Sequence, residues 1–523
     1  MLSVILSANG GGKAAQIIIL AAYFLMMIGI AYYSRKRSGS IDEFFLGGKN
    51  IGGWMSAFAY GTTYFSAVVF VGYAGKFGWN FGLAGVWIGI GNALIGSFLA
   101  WKVLAKKTKE FSSAKNAKTM PEFFEARYLD KRIKLVSSII IFIFLIPYSA
   151  SVYQGVGHIF EMIFGVDFYW CVIIMAAVTA AYVFIGGYFA TAMTDFLQGF
   201  IMLAGVAAMI VIAFVYMSGN GVDLSFSGVF ERLAATDKGI FQPLYVEELG
   251  LLGSPGFNVI ILILLTSFGL WGLPQSIHKF YAVKNDGIKK ATVISTVFAL
   301  IIGGGAYFFG SFSTLIIDGV PSGGFDAIIP AVLQRSMPPV MLGIILVMIV
   351  AATMSSLSSV SLSGSSALII DFYKGFVKKN AEEKRVNLYL RITCLVFIAL
   401  SAVLAIVKID AIVTMMSLSW GTLAGCFIGP YVYGLHYKKT TKAAVWTSII
   451  GGLVITFSLI IILGAIAANQ TGQTGIGAIL KGGISYAPFV GVCAMTFSAV
   501  STPIVSRFTK QYSDKEKQEI FAV

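Results

Sequence analysis

The residues in this chain best placed to do chemistry are a run of hydroxyls and one acid, both inside stretches apolar enough to enter a bilayer. Residues 351–366, AATMSSLSSVSLSGSS, hold eight serines and a threonine directly after the apolar run PPVMLGIILVMIV. No charge falls between Arg335 and Asp371. A hydroxyl in hydrocarbon needs a partner, so such a stretch must meet another helix or a bound ligand. Ser355, Ser359, Ser363 and Ser366 repeat at helical spacing and share one face. Two readings stand: close helix packing through small residues, or a site for a hard cation such as Na⁺, which takes oxygen ligands. The acid is Asp195, in AYVFIGGYFATAMTDFLQGFIMLAG. It lies eight residues past Gly187, about 12 Å into a helix at 1.5 Å per residue. A carboxylate at that depth costs about 3 kcal/mol and calls for a compensating charge. With no Lys or Arg assigned to matching depth in another span, a metal ion or a proton is left to balance Asp195. The alternative is a helix-end acid reaching cytoplasmic water.

These residues need helices to hold them, and composition supplies the helices. The 523 residues are 57% hydrophobic and only 12% charged, with a mean hydropathy of +0.83. A soluble domain carries about 25% charged residues, so most of this chain belongs in lipid. Hydropathy gives thirteen candidate spans of ~20 residues, the first starting near Ala14, and no cleavable signal peptide. With the N-terminus outside, 31 of the 38 Lys and Arg fall in inner segments and 7 in outer ones. That asymmetry is the positive-inside pattern; it explains the net charge of +14 as orientation and argues against a nucleic-acid partner. The expected location is the plasma membrane, with the C-terminus cytoplasmic. Cys171, Cys394, Cys426 and Cys493 have no paired spacing and read as small hydrophobes rather than disulfides or metal ligands.

Two spans look broken at matching places. The second contains GTTYFSAVVFVGYAG and the seventh LTSFGLWGLPQS. Their starts are five helices apart, so helices 2–6 and 7–11 form two halves of opposite orientation, as in inverted-repeat transporters whose sites lie at unwound helices. The expected fold is an all-α integral membrane protein of about thirteen transmembrane helices with a five-plus-five inverted repeat and discontinuous helices 2 and 7. The expected organisation is a first helix and cytoplasmic link (1–50), a first half (51–217), an external loop (218–256), a second half (257–435), two peripheral helices (436–506) and a cytoplasmic tail (507–523). The inner loop 105–132, with TMPEFFEARY, reads as a threonine-capped amphipathic helix able to lie on the membrane surface. A short helix is expected near Val229–Ala234.

Five motifs in order resemble the sodium/solute symporter family, which includes proline, galactose, sialic acid, pantothenate and monocarboxylate transporters: DEFFLGGKNIGGW, TYFSAVVFVG, GGYFATAMTDFLQG, GLWGLPQSIHKFYA and AATMSSLSS. Tyr188 departs from the Leu, Met or Phe usual there. The resemblance implies a leucine-transporter-like fold, no enzymatic activity, and Na⁺ as coupling ion, one or two per cycle. It implies a principal Na⁺ site from the carbonyls of Thr62, Phe65 and Ala352 and the hydroxyls of Ser355 and Ser356. A second Na⁺ site, present in part of the family, would use Asp195 with Ser355, Ser358 and Ser359. Ser361, Ser363, Ser365 and Ser366 are left to packing. By position, Tyr64, Ser66, Val68, Val69, Trp271 and Gln275 would face the substrate. No sugar-, proline- or sialate-type recognition residue stands at the equivalent places, so a small organic acid or amino-acid-like zwitterion is favoured. The expected function is sodium-coupled import by alternating access. Alternatives are a transporter-like sensor, for which the tail leaves no signalling module, and a proton-coupled carrier. A continuous channel fits the paired breaks less well. A membrane-embedded enzyme lacks an acid–base pair at depth. The expected partners are a small-molecule substrate and the lipid bilayer, with no obligate protein partner evident.

Overall fold

The computed structural model describes residues 9–34, 40–49, 51–219, 226–236, 238–408, 410–473 and 475–521. The start of the chain, the basic stretch at 35–39 and part of the external loop at 220–225, on which sequence expectations also rested, lie outside the described residues. The protein is 86% helical, with no strand among the described residues. Among the described residues, eleven helical runs are long and apolar enough to cross a membrane. Two of them span 48 and 52 residues, about twice what a bilayer requires. Each carries a glycine at positive φ: Gly82 (φ 56°, ψ −130°) and Gly187 (φ 59°, ψ −162°). A side chain at Gly187 would also meet the Phe44 ring at 2.5 Å.

The helices that position the site are α1 (Asn9–Ser34), α2 (Gly53–Tyr64), α3 (Lys131–Phe164), α4 (Phe168–Gly219), α5 (Pro255–Phe268), α6 (Pro274–Ala282), α7 (Pro339–Ser366), α8 (Glu383–Val407) and α9 (Ile412–His436). Burial and hydropathy divide them into inner and outer helices. Most of α9 is buried inside the protein, whereas most of the more apolar Lys442–Gln470 is not. A helix surrounded by other helices can carry hydroxyls and glycines, because protein groups satisfy them. A helix that faces lipid must satisfy its hydroxyls within itself, as Thr447 does on the Ala443 carbonyl (3.0 Å).

The α9 helix meets Ala487–Phe508 along small residues four apart. A Cβ on Gly421 would lie 2.5 Å from Gly491, one on Gly425 2.6 Å from Ala494, and one on Gly429 2.2 Å from the Ser498 carbonyl. Gly425→Val is therefore expected to lower the thermal midpoint in detergent. Overpacking of this kind costs about 1–3 kcal/mol, and an unchanged midpoint would show that the seam can spread.

The inner loop differs from its surface-lying expectation. Its helix, Met120–Tyr128, is capped by the Thr119 side chain as its sequence indicates. Phe123 and Phe124 nevertheless pack on Tyr431 and Phe427 of α9, and buried Arg127 donates to the Gly434 (2.8 Å) and Tyr437 (3.0 Å) carbonyls. A guanidinium that satisfies the free carbonyls at the end of α9 draws this helix under the bundle. In the connection expected to be external, a short helix spans Phe226–Ala234.

Candidate functional site

The site begins where two helices stop. The α2 helix ends at Tyr64, and Phe65 turns extended (φ −102°, ψ 101°). The chain resumes as the π-helical stretch Val68–Tyr73. Farther along the chain, α5 tightens into the 3₁₀ turn Gly269–Gly272, Leu273 is extended (φ −95°, ψ 120°), and α6 starts at Pro274. The two broken segments are tied at their inner ends: Ile51 N–H donates to the Ala282 carbonyl (3.1 Å) and Lys284 N–H to the Ile51 carbonyl (3.0 Å).

The break in α2 deprives its last carbonyls of the helical N–H groups they would otherwise accept from. Serines from α7 take over. Ser355 donates to the Thr62 carbonyl at 2.9 Å and contacts the Ala352 carbonyl at 3.0 Å, while Ser356 lies 3.3 Å from the carbonyls of both Thr62 and Thr63. Thr62, Phe65, Ala352, Ser355 and Ser356 are all fully buried. The Thr62 side-chain hydroxyl has no hydrogen-bond partner. Neutral oxygens gathered at hydrogen-bond spacing, without a nearby carboxylate, are a donor set suited to a monovalent hard cation. Such a set gives modest affinity, as release of a transported ion requires.

The substrate candidates divide into groups. Tyr64 donates its hydroxyl to the Thr266 carbonyl (2.9 Å), and Trp271 donates Nε1 to the Ile95 carbonyl (3.1 Å). Tyr64 thus ties the first break to α5, and Trp271 ties the second to the π-helical stretch Asn92–Leu99, where Asn92 accepts from Thr266 (2.7 Å). Ser66 is buried in the break and accepts the Val68 N–H at 3.2 Å. Val68 and Val69 open the resumed helix. Gln275 is buried on the first turn of α6 with an unpartnered Oε1.

Sequence reasoning missed several residues. Tyr148 of α3 is buried beside Ser66 and Ser356, and its hydroxyl has no hydrogen-bond partner. Trp420 of α9 packs edge-on against Tyr148 (5.5 Å) and tilted against Tyr64 (6.1 Å), with its indole N–H buried and unpartnered. Both lie in apolar runs, where an aromatic residue reads as core.

A larger correction concerns Asp195. The sequence placed Lys279 among the inner-loop basic residues and so assigned no cation to this acid. Lys279 is instead fully buried on α6, with Nζ 3.9 Å from Asp195 Oδ2, 2.9 Å from Ser359 Oγ and 4.8 Å above the Tyr188 ring. Its position five residues past Pro274 was the available signal. The half-helix begins inside the bundle, so its second turn is still buried there. Ser359 also pairs with Thr63 (2.8 Å), and Ser358 donates back to the Ser355 carbonyl (2.9 Å). Farther along α7, Ser361 reaches the Cys394 carbonyl of α8 at 3.4 Å.

Comparison with known proteins agrees with this architecture. Residues 44–452 match the model of the sodium:solute symporter family. The chain is 27% identical over 506 residues to sodium/proline symporter 2 of Staphylococcus saprophyticus, covering 94% of this chain and 93% of that protein. It is 28% identical over 453 residues to the sodium/proline symporter of Staphylococcus aureus, covering 84% of each. In fold it is similar to a Na⁺-coupled sialic acid symporter solved in a substrate-bound outward-open state, with a TM-score of 0.72, 19% identity, and coverage of 95% of this chain and 99% of that one. A broken-helix bundle with a buried oxygen cluster, matched over most of its length, places the chain in the sodium:solute symporter family as a multi-pass membrane transporter that couples Na⁺ to the movement of a small solute.

Proposed function

We propose that the protein imports a small amino-acid-like zwitterion or organic acid across the plasma membrane, with Na⁺ held by Thr62, Phe65, Ala352, Ser355 and Ser356. The observation that carries this reading is the oxygen cluster between the α2 break and α7, one residue from the substrate candidate Ser66. Tyr148 lies beside Ser66 and Ser356 with its hydroxyl unpartnered, which leaves that hydroxyl to a solute at the break. Resumed helix starts after Ser66 and at Pro274 direct positive dipole ends toward a carboxylate. The two sodium/proline relatives favour the zwitterion. Thirteen crossings, with the N-terminus outside and the C-terminus cytoplasmic, fit the basic inner loops and the two overlong helical runs. At 100 mV each Na⁺ contributes about 2.3 kcal/mol of electrical driving force.

The test is uptake of a panel of amino acids, betaines and monocarboxylates by proteoliposomes, with and without an inward Na⁺ gradient. Gradient-dependent accumulation of a zwitterion or carboxylate is expected; accumulation confined to sugars or cations overturns the substrate class. Trp420 supplies a finer check. Its N–H has no protein partner, so Trp420→Phe removes a donor left for solute at little structural cost. Loss of one hydrogen bond of about 0.5–1.5 kcal/mol predicts a KM for solute several-fold higher, with sodium dependence held.

A further inference from the structure

We infer that Lys279 is a tethered cation in the position a second Na⁺ would take, so that this protein binds and moves one Na⁺ per cycle. The inference rests on the principal-site reading for the location of that one ion. Its own support lies in how the surrounding groups are used. Both carboxylate oxygens of buried Asp195 lack a hydrogen-bond donor, so the acid depends on a nearby positive charge. Lys279 supplies it at 3.9 Å. Of the oxygens expected around a second ion, Ser359 is taken: it accepts from the ammonium while pairing with Thr63. An ion placed between Asp195 and Ser359 would lie within contact distance of the ammonium, where like charges in a water-poor site repel strongly. The Tyr188 ring holds the ammonium from its remaining side (4.8 Å), so the charge is fixed between α4, α6 and α7. A lysine on the half-helix below one break, joined through Ser359 to Thr63 beside the other, performs the bridging that a second ion would otherwise perform.

Equilibrium binding of radiolabelled Na⁺ to the purified full-length protein tests this without knowledge of the solute. The parent is expected to bind one Na⁺ per chain with hyperbolic dependence. Lys279→Met exposes the Asp195 carboxylate and is expected to bind two, with binding curves that no longer fit a single site. Asp195→Asn combined with Lys279→Met returns the count to one. Two ions in the parent overturn the inference, whether or not any variant folds. A folded Lys279→Met protein that still binds one also overturns it. Ser355→Ala in the same assay separates the two readings. If it leaves the parent's ion bound as tightly as before, the principal site is misplaced. The comparison between the parent and Lys279→Met is then judged unchanged.

Discussion

Ser355→Ala is expected to raise the Na⁺ concentration for half-maximal uptake by about 10- to 100-fold. The hydroxyl lies 2.9 Å from the Thr62 carbonyl and 3.0 Å from the Ala352 carbonyl, fully out of solvent. Alanine leaves a methyl group that cannot coordinate a cation, in an interface closed to solvent. An interaction with a charged group contributes about 1.5–3 kcal/mol, and each 1.4 kcal/mol is a factor of ten in affinity. Folding should change little, because Ser356 still contacts the Thr62 carbonyl at 3.3 Å. Ser361→Ala is the control on the same helix, since Ser361 faces Cys394 of α8; its sodium dependence should match the parent. Equal sodium dependence in all three proteins, measured by uptake at graded Na⁺, would remove α7 from the site.

The second large effect is on folding as well as transport. Asp195→Asn leaves the Lys279 ammonium buried with Ser359 and an aromatic face as its remaining company. Removing one partner of a buried ion pair costs about 3–5 kcal/mol, because the surviving charge is stranded. Asp195→Asn should therefore give little folded protein and little uptake. Adding Lys279→Met to it should recover much of the thermal midpoint in detergent, because the two changes together remove both charges. The asymmetry is informative. Na⁺ can replace a missing lysine beside a carboxylate, so the Lys279→Met protein should gain thermal stability as Na⁺ is raised. Asp195→Asn should not respond to Na⁺ beyond the parent's own response. If Asp195→Asn folds and transports as the parent does, the pair is dispensable and Asp195 is an ordinary buried acid.

The contrast between Asp195 and Ser355 shows where sequence reading stops. Ser355 was legible because helical spacing, hydroxyl type and the family's motif order all point the same way. Asp195 was legible as a residue in need of a partner, since the cost of a charge in hydrocarbon does not depend on the fold. The partner itself was misplaced. Counting basic residues by loop put Lys279 outside the membrane, yet the seventh span stops and restarts at Leu273, which carries the next turn inward. Trp420 and Tyr148 escaped for a related reason: an aromatic residue in an apolar run reads as core until its unused polar atom is seen to face a helix break.

The sequence alone determined that the chain is a helical membrane protein, which spans carry glycine-rich interruptions, and which helix carries the hydroxyls. Those follow from local composition and period, because the bilayer charges every exposed polar group the same way wherever it lies in the chain. Tertiary structure decided which oxygen meets which. Ser355 and Ser356 lie nearly three hundred residues from Thr62, and Lys279 lies 80 from Ser359. Pairings at such separation are set by how whole helices cross, and a spacing pattern within one helix carries no information about that.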